Sequence, residues 1–168
     1  ITGAGSGIGR ELVIQLVKKG AIPVLADINE AGMLETVAIS NAHNYSIHQL
    51  DMSVAADIKD FVKNVLEIHG RIDVLINNAG IIQPFVDFIH LDEAIVDKIM
   101  QVNFYGPVNL TRACLPYLLE RPEAHIANIS SMGGFIPFPG QTIYGASKAA
   151  IKLFTEGLYA ELKETNVG

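Results

Sequence analysis

Short apolar runs alternate with longer amphipathic stretches along this chain, and no internal repeat is present. The apolar runs predict buried strands at residues 21–26, 45–50, 74–77 and 126–130. The amphipathic stretches predict helices at residues 7–19, 30–39, 54–69, 92–100, 106–120 and 144–163. Strands that alternate with helices indicate a parallel sheet with helices on both faces. The pattern therefore predicts an α/β fold, a doubly wound parallel sheet in a single domain over residues 1–168.

Two of these helices carry enough apolar positions to predict which side faces the sheet. In the first helix, Ile8, Leu12 and Leu16 fall on one face, and Gly20 is a stop signal after two lysines. In the helix over residues 54–69, the stop signal is Gly70. The residues expected to face inward there are Ile58, Phe61, Val62, Val65 and Leu66.

Both ends of the chain look cut. The sequence opens at Ile1 on a glycine-rich segment, although a helix in a nucleotide-binding βαβ unit needs a strand before that loop. After the last predicted helix, the pattern predicts no further strand. We therefore expect the chain to be part of a longer domain.

Composition narrows the functional classes. The chain has 168 residues, 49% of them hydrophobic, which is enough for one domain with a core. Its net charge of −6 disfavours nucleic acid and anionic membranes as partners. One cysteine excludes an internal disulfide, and five histidines without ligand spacing lead us to expect no metal. No targeting segment opens the chain and no apolar run approaches the ~20 residues of a membrane span, so we expect a cytoplasmic location.

Residues 2–9 read T-G-A-G-S-G-I-G, a glycine-rich entry to the first helix. Glycines let a pyrophosphate approach the backbone, and the helix start supplies free N–H groups. The strict G-x-G-x-x-G fingerprint fails in both registers, because its last position is Ile8 or Arg10. The spacing T-G-x-x-x-G-x-G resembles that of the short-chain dehydrogenase/reductase family. The resemblance implies cofactor contacts at Gly3, Ser6, Gly7, Ile8 and Gly9, whereas the alternative is a glycine-rich turn without a ligand.

Asp27 directly follows the buried run over residues 21–26, twenty residues after Gly7. A carboxylate there can accept hydrogen bonds from the adenosine ribose and would repel a 2′-phosphate. Family members that take NADP often carry a basic residue where this chain has Ser6 or Ile28. We therefore expect NAD as the cofactor, with Asp27 and Ile28 beside the ribose. The alternative is that Asp27 only caps a turn.

Two further segments resemble cofactor motifs of the family. Asp51 and Met52 follow the strand predicted at residues 45–50, and in the family this pair meets the adenine ring. The sequence N-N-A-G at residues 77–80 ends the strand predicted at residues 74–77. The resemblance implies that Asn78, Ala79 and Gly80 line the cofactor at the carboxyl edge of the sheet.

The motif Y-G-A-S-K sets Tyr144 and Lys148 four residues apart, on one face of the last helix. Ser131 lies thirteen residues earlier, just after a strand, and Asn103 lies in V-N-F. Together these four residues resemble the catalytic Asn, Ser, Tyr and Lys of the family. Tyrosine and lysine alone, at this spacing, are common on amphipathic helices, so it is the order of all the motifs that carries the resemblance.

The predicted roles follow from alcohol oxidation, in which hydride leaves carbon while a proton leaves the hydroxyl. Free tyrosine, with a pKa of about 10, is a poor base near neutrality, but nearby cations favour the phenolate. Tyr144 is then the general acid/base and contacts both substrate and nicotinamide. Lys148 supplies the charge and holds the nicotinamide ribose, Ser131 binds the substrate oxygen, and Asn103 holds a proton-relaying water.

The resemblance covers essentially the whole chain and implies a Rossmann-type sheet with strand order 3-2-1-4-5-6-7. The chain would lack the start of strand one and all of strands six and seven. The family also implies a homotetramer, in which the helices over residues 106–120 and 144–163 pack against their copies.

Other functions stay open at this point. The nearest is a 3-oxoacyl carrier-protein reductase, which normally uses NADP. A nucleotide-sugar epimerase or dehydratase favours another glycine spacing, and a non-catalytic nucleotide-binding regulator usually loses the tyrosine or lysine. The loops over residues 81–85 and 132–143 carry no charged residue. We therefore expect a small-molecule alcohol or carbonyl substrate that is apolar near its reacting carbon.

Overall fold

The computed structural model describes all 168 residues. It contains four short strands: β1 (Val24–Asp27), β2 (Ser46–Gln49), β3 (Val74–Asn77) and β4 (His125–Asn128). Six α-helices cover them: α1 (Gly7–Lys18), α2 (Glu30–Ser40), α3 (Ala55–His69), α4 (Glu93–Met100), α5 (Gly106–Leu119) and α6 (Thr142–Leu162). The expected α/β fold with parallel strands is therefore confirmed, with boundaries that differ by a few residues.

The N-terminal residues lie between the two halves of the sheet. β1 pairs in parallel with β2, and β3 pairs in parallel with β4. Between these pairs, the amide of Ala26 donates to the carbonyl of Ile1, and the amide of Thr2 donates to the carbonyl of Ile76. The spatial order is therefore β2, β1, the N-terminal segment, β3 and β4. Beside the N-terminal segment, the direction in which the chain adds strands to the sheet reverses. Open α/β sheets bind ligands at such a reversal.

Helices cover both faces of the sheet, because successive strand residues point to opposite sides. Leu25 belongs to one core cluster with Val13 of α1 and Met33 of α2. Its neighbour Ala26 belongs to the other cluster, with Val62 of α3 and other residues of α3 and α5. Burial of each large aliphatic side chain contributes roughly 1.5–3 kcal/mol.

The predicted inward face of α1 is wrong at Ile8. This side chain is 64% exposed, Leu12 and Leu16 are only partly buried, and Gly9 and Val13 face the core instead. The reason is the close contact between Gly9 and the loop before the helix, which turns Ile8 outward at the helix start. For α3, the expected face is correct: its buried residues are Ile58, Val62 and Val65, while Phe61 and Leu66 pack against the same core.

The helices predicted at residues 92–100 and 106–120 are joined without a break. A π-helical turn over Gln101–Tyr105 connects α4 directly to α5. Asn103 lies in this turn and is 1% exposed. π-Helical turns are rare in proteins, and many of those that are known lie at functional sites.

The end of the chain pairs with β4, although the sequence pattern predicts no strand there. Val167 forms a parallel bridge to Ala124, and the amide of Ile126 donates to the carbonyl of Gly168. Residues 166–168 therefore lie beside β4 and are bonded to it through the backbone. None of the helices is both long and apolar enough to cross a lipid bilayer.

Candidate active site

The glycine-rich loop leaves the start of α1 open. The amides of Gly7, Ile8 and Gly9 donate to no acceptor within the protein, and the Ser6 side chain forms no cap. Gly9 has no room for a side chain, because a β-carbon there would collide with the carbonyl of Gly3. Free amides at the positive end of a helix form a binding site for an anion such as pyrophosphate.

Asp27 is bound to this loop. Its Oδ2 accepts a 2.8 Å hydrogen bond from the amide of Gly5, and its Oδ1 accepts a 3.0 Å bond from the amide of Asn29. The turn role considered for Asp27 is therefore present, and the carboxylate also lies beside the glycine loop. Its neighbour Ile28 is 65% exposed at the same edge.

Arg10 is the nearby cation, and it is already engaged. Its Nη2 donates to the carbonyl of Gly5 at 2.7 Å and to Glu35 at 2.6 Å. Its Nε donates to the hydroxyl of Thr36 at 3.1 Å. The guanidinium is therefore bound to both the loop and α2, and it is not a free charge at the surface of the loop.

Thr2 connects the glycine loop to the N-N-A-G segment. Its hydroxyl accepts from the amides of Asn78 and Ala79, both at 3.0 Å. The Asn78 side chain donates in return to the carbonyl of Thr2 at 2.9 Å. This brace was missed by sequence analysis, which assigned Thr2 no role.

Asp51 is held by Ser53 and Lys98. Hydrogen bonds from the side chain and backbone of Ser53, with a smaller contribution from the Lys98 ammonium, lower the pKa of Asp51. Lys98 Nζ lies 3.1 Å from Asp51 Oδ2. Met52 is buried, and its carbonyl lies against Gly106 at the start of α5. The pair predicted to meet adenine therefore also connects the loop after β2 to α4 and α5.

Lys148 is buried between α6 and the end of β4. It is 5% exposed, and its Nζ donates to the carbonyl of Ile129 at 2.8 Å. Burial disfavours the ammonium and lowers the pKa of Lys148. The neighbouring hydroxyl of Ser130 donates to the carbonyl of Lys148 at 2.8 Å, which joins the end of β4 to α6.

Ser131 and Tyr144 flank the same point of the structure. A β-carbon built on Gly133 would lie 3.3 Å from Tyr144 Cε1 and 3.6 Å from Ser131 Oγ. The Ser131 hydroxyl accepts from the amide of Gly133 at 3.1 Å, which orients it in the loop after β4. The fold therefore brings together two residues that the sequence separates by thirteen positions.

Asn103 and Lys148 meet at Gly80. A β-carbon on Gly80 would lie 3.3 Å from both Asn103 Oδ1 and Lys148 Nζ. The Asn103 amide donates to the carbonyl of Ile81 at 2.9 Å and to Ser147 Oγ at 3.0 Å. Its Oδ1 accepts from the amide of Ile81 at 2.9 Å. Within the side chain, only the second lone pair of Oδ1 remains for the predicted relay water.

Two residues at this site carried no signal in the sequence. Ser147 is fully buried and links Asn103 to the carbonyl of Tyr144. Gln83, 1% exposed, accepts from the amides of Ile143 and Tyr144. Neither residue type stands out by itself, and their partners become evident only in the fold.

Comparison with known proteins agrees with this geometry. The family model for short chain dehydrogenase matches residues 1–168. The chain belongs to the short-chain dehydrogenase/reductase family. It is 40% identical over 176 residues to "Dehydrogenase/reductase SDR family protein 7-like" of Anopheles gambiae, covering 99% of this chain and 55% of that protein. The chain therefore spans about half the length of this relative.

Solved structures of the family have the same fold. A short chain dehydrogenase/reductase from Burkholderia phymatum in complex with NAD is 32% identical with TM-score 0.94, covering 100% of this chain and 61% of that one. A metagenomic short-chain oxidoreductase in complex with NADP is 31% identical with TM-score 0.94, covering 99% and 75%. The 3-ketoacyl-(acyl-carrier-protein) reductase from Brucella melitensis complexed with NADH is 30% identical with TM-score 0.94, covering 99% and 69%.

The chain has the nucleotide-binding fold of this family. The groups that could hold a dinucleotide lie along the carboxyl edge of the sheet, from the start of α1 to the loop after β3. No group of three or more His, Cys, Asp or Glu side chains is arranged to hold a metal ion. Ser131, Tyr144 and Lys148 carry two hydroxyls and an amine, which are groups that can donate or accept a proton.

Proposed function

We propose that the protein transfers a hydride between NAD(H) and a secondary alcohol or ketone, with Tyr144 as general acid/base. The observation that carries this proposal is the convergence of four residues beside the glycine loop. Asn103 and Lys148 meet at Gly80, and Ser131 and Tyr144 flank Gly133. Glycine at both points leaves space next to the reactive side chains.

The residues present fit a dinucleotide. The free amides at the start of α1 suit its pyrophosphate, and the tight contact of Gly9 with the Gly3 carbonyl fixes the shape of that loop. Asp27, beside the same loop, suits the unmodified ribose of NAD rather than the 2′-phosphate of NADP. The engagement of Arg10 with Glu35 supports NAD as well, because this cation is already neutralised. One similar structure contains NADP, so similarity does not decide between the cofactors. The choice of NAD therefore rests on Asp27 and Arg10.

When bound, the nicotinamide would accept the hydride from an alcohol or deliver it to a ketone. Tyr144 would take the hydroxyl proton during oxidation and return it during reduction. Lys148, whose ammonium lies beside Asn103 Oδ1 across Gly80, would favour the Tyr144 phenolate and hold the nicotinamide ribose. Ser131 would donate to the substrate oxygen, and Asn103 would hold the water that returns protons to Lys148.

The surroundings of the site favour an apolar substrate. The two uncharged loops meet where Gly140 approaches the backbone of Phe85. Phe85, Ile136 and Phe138 are 74%, 49% and 51% exposed, so the aromatic side chains of these loops are not packed beneath them. Phe135 is exposed too, but the Lys152 ammonium lies 5.1 Å from its ring centre, which ties this side chain to the outer surface of α6.

A second candidate is a 3-oxoacyl carrier-protein reductase. The similar enzyme from Brucella melitensis was solved with NADH, so a preference for NAD does not exclude this activity. The two candidates differ in the substrate, an acyl thioester in one case and a simple ketone or alcohol in the other.

The test is a panel of alcohols, ketones and 3-oxoacyl thioesters supplied to the full-length protein with NAD(H) or NADP(H). Absorbance of the reduced nicotinamide reports turnover. The proposal predicts turnover of apolar secondary alcohols with NAD. Turnover of the thioester alone would favour the second candidate, and no turnover of any substrate would contradict both.

The homotetramer and the cytoplasmic location stay predictions. On α6, Ala149 and Leu153 are exposed, whereas Leu158 and Leu162 are partly buried. Exposed apolar residues on one helix face are consistent with a surface that a second copy covers.

A further inference from the structure

Gln83 forms the main connection between the loop after β3 and the start of α6. Its Oε1 accepts hydrogen bonds from the amides of Ile143 at 2.9 Å and Tyr144 at 3.0 Å. Its Nε2 donates to the carbonyl of Gly140 at 2.9 Å, and its own carbonyl accepts from Gln141 Nε2 at 2.9 Å. The side chain is 1% exposed, so all of these bonds are shielded from water.

These contacts replace a local helix cap. Gln141 occupies the N-cap position of α6 but makes no side-chain cap bond. Ile143 and Tyr144 are the second and third helical residues, the positions whose amides an N-cap oxygen normally serves. Gln83 supplies that oxygen from sixty residues earlier in the chain. The start of α6 is therefore anchored to the loop beside Gly80 rather than to the residues before the helix.

The anchored amide belongs to the residue that carries the reactive oxygen. Because Tyr144 N–H is bound directly, a shift of the first turn of α6 would break this bond. The other side of the same turn is held through Ser147, which donates to the carbonyl of Tyr144 at 2.7 Å. Gln83 and Ser147 thus hold the backbone of Tyr144 at both its amide and its carbonyl.

We propose that Gln83 is a positioning residue for Tyr144, setting the distance of its hydroxyl from the substrate oxygen through the first turn of α6. The inference rests on the proposed function, because it requires that Tyr144 transfers a proton. Gln83 acts through the backbone of Tyr144, so its loss affects the chemical step rather than the affinity for NAD.

The test compares four full-length proteins: wild type, Gln83→Met, Gln83→Glu and Gln15→Met. Methionine keeps the length of Gln83 but cannot cap the helix, whereas glutamate keeps the acceptor oxygen. Gln15 is exposed on α1, where its side chain bonds to Glu11 and to no residue of the site, so it serves as the matched control. Hydrogen exchange at the amides of Ile143 and Tyr144 reports the cap directly, and steady-state kinetics with NAD report kcat and KM.

In Gln83→Met, we expect faster exchange at both amides and a kcat lower by about tenfold to 100-fold, with the Kd for NAD unchanged. Gln83→Glu keeps the acceptor but loses the donor to Gly140, so it should recover only part of the protection and kcat, and Gln15→Met should match wild type. If Gln83→Met does not fold, Gln83→Asn, whose amide is one methylene shorter, takes its place with the same expectation.

Two results would overturn the inference. One is unchanged exchange in Gln83→Met, and another is faster exchange with unchanged kcat. Failure of the proposed function is distinguishable, because it is an absence of turnover in wild type, whereas the inference concerns the ratio of variant to wild type.

Discussion

Asn103 and Ser147 are joined by a 3.0 Å hydrogen bond from Nδ2 to Oγ, although the two residues lie on different helical segments. Ser147 passes the connection on to the carbonyl of Tyr144 at 2.7 Å. Both side chains are almost fully buried, at 1% and 0% exposure. The π-helical turn is therefore coupled to the helix that carries Tyr144.

Replacing Ser147 with alanine should destabilise the protein by about 1–3 kcal/mol, because one buried N–H of Asn103 then lacks an acceptor. Chemical denaturation with urea measures this change. In the double variant with Asn103→Leu, the additional cost of Ser147→Ala should be smaller, since no donor is left unpaired. Equal costs in both backgrounds would show that this bond does not couple the two segments.

Two glycine substitutions should have opposite effects on stability. In Gly9→Ala, the new methyl group meets the backbone carbonyl of Gly3, which cannot move aside as a flexible side chain would. In Gly157→Ala, the methyl group meets nothing within 4 Å and replaces a helical glycine on α6. We expect a large loss of thermal stability and NAD affinity in the first, and a gain of about 0.5–1 kcal/mol in the second. A Gly9→Ala protein that binds NAD like wild type would contradict the close packing described for the loop.

Removing the charge of Asp27 should narrow the preference for NAD over NADP. Asp27→Asn keeps an oxygen that can accept the hydrogen bond from the amide of Gly5, but it removes the negative charge that repels a 2′-phosphate. Asp27→Ala removes the acceptor as well as the charge. We expect the NAD to NADP ratio of kcat/KM to fall by about tenfold in Asp27→Asn, equivalent to about 1.4 kcal/mol. Asp57, exposed on α3, provides a matched Asp→Asn control. Tighter binding of NADP than NAD by wild type would make this interpretation of Asp27 wrong.

The burial of Lys148 predicts how stability and activity depend on pH at alkaline values. Because burial lowers its pKa below the 10.5 of an exposed lysine, the ammonium is lost at a lower pH in the folded protein. The ordinary pKa applies in the unfolded chain, so between the two values the unfolded state binds more protons. This residue therefore adds to the free energy of unfolding as the pH rises through that interval.

Activity should accordingly fall on the alkaline side at a pH below 10.5 while circular dichroism still reports a folded protein. Lys148→Arg, whose guanidinium keeps its charge, should lose this alkaline decline in whatever activity it retains. An identical decline in wild type and Lys148→Arg would assign it to another group.

Local spacing made much of the site predictable. Tyr144 and Lys148 lie four residues apart on one helix. Asp27 ends β1 and Asn78 follows β3, so the sequence alone places these two residues at one edge of a parallel sheet. Thr2, Gln83 and Lys98 were missed because their partners are distant in sequence, and a single polar residue forms no periodic pattern. The orientation of Ile8 was mispredicted because helical periodicity does not include the contact between Gly9 and the loop.

The central claim is that Tyr144 transfers the proton during hydride transfer to NAD. Tyr144→Phe removes only the hydroxyl, so the fold and the binding of NAD should remain. The most direct measurement is single-turnover formation of NADH from a secondary alcohol that wild type oxidises, with NAD affinity determined in parallel by titration. Our account predicts a rate lower by about 10²–10⁴-fold in Tyr144→Phe with NAD affinity within about twofold of wild type. NADH formation at the wild-type rate by Tyr144→Phe would contradict it.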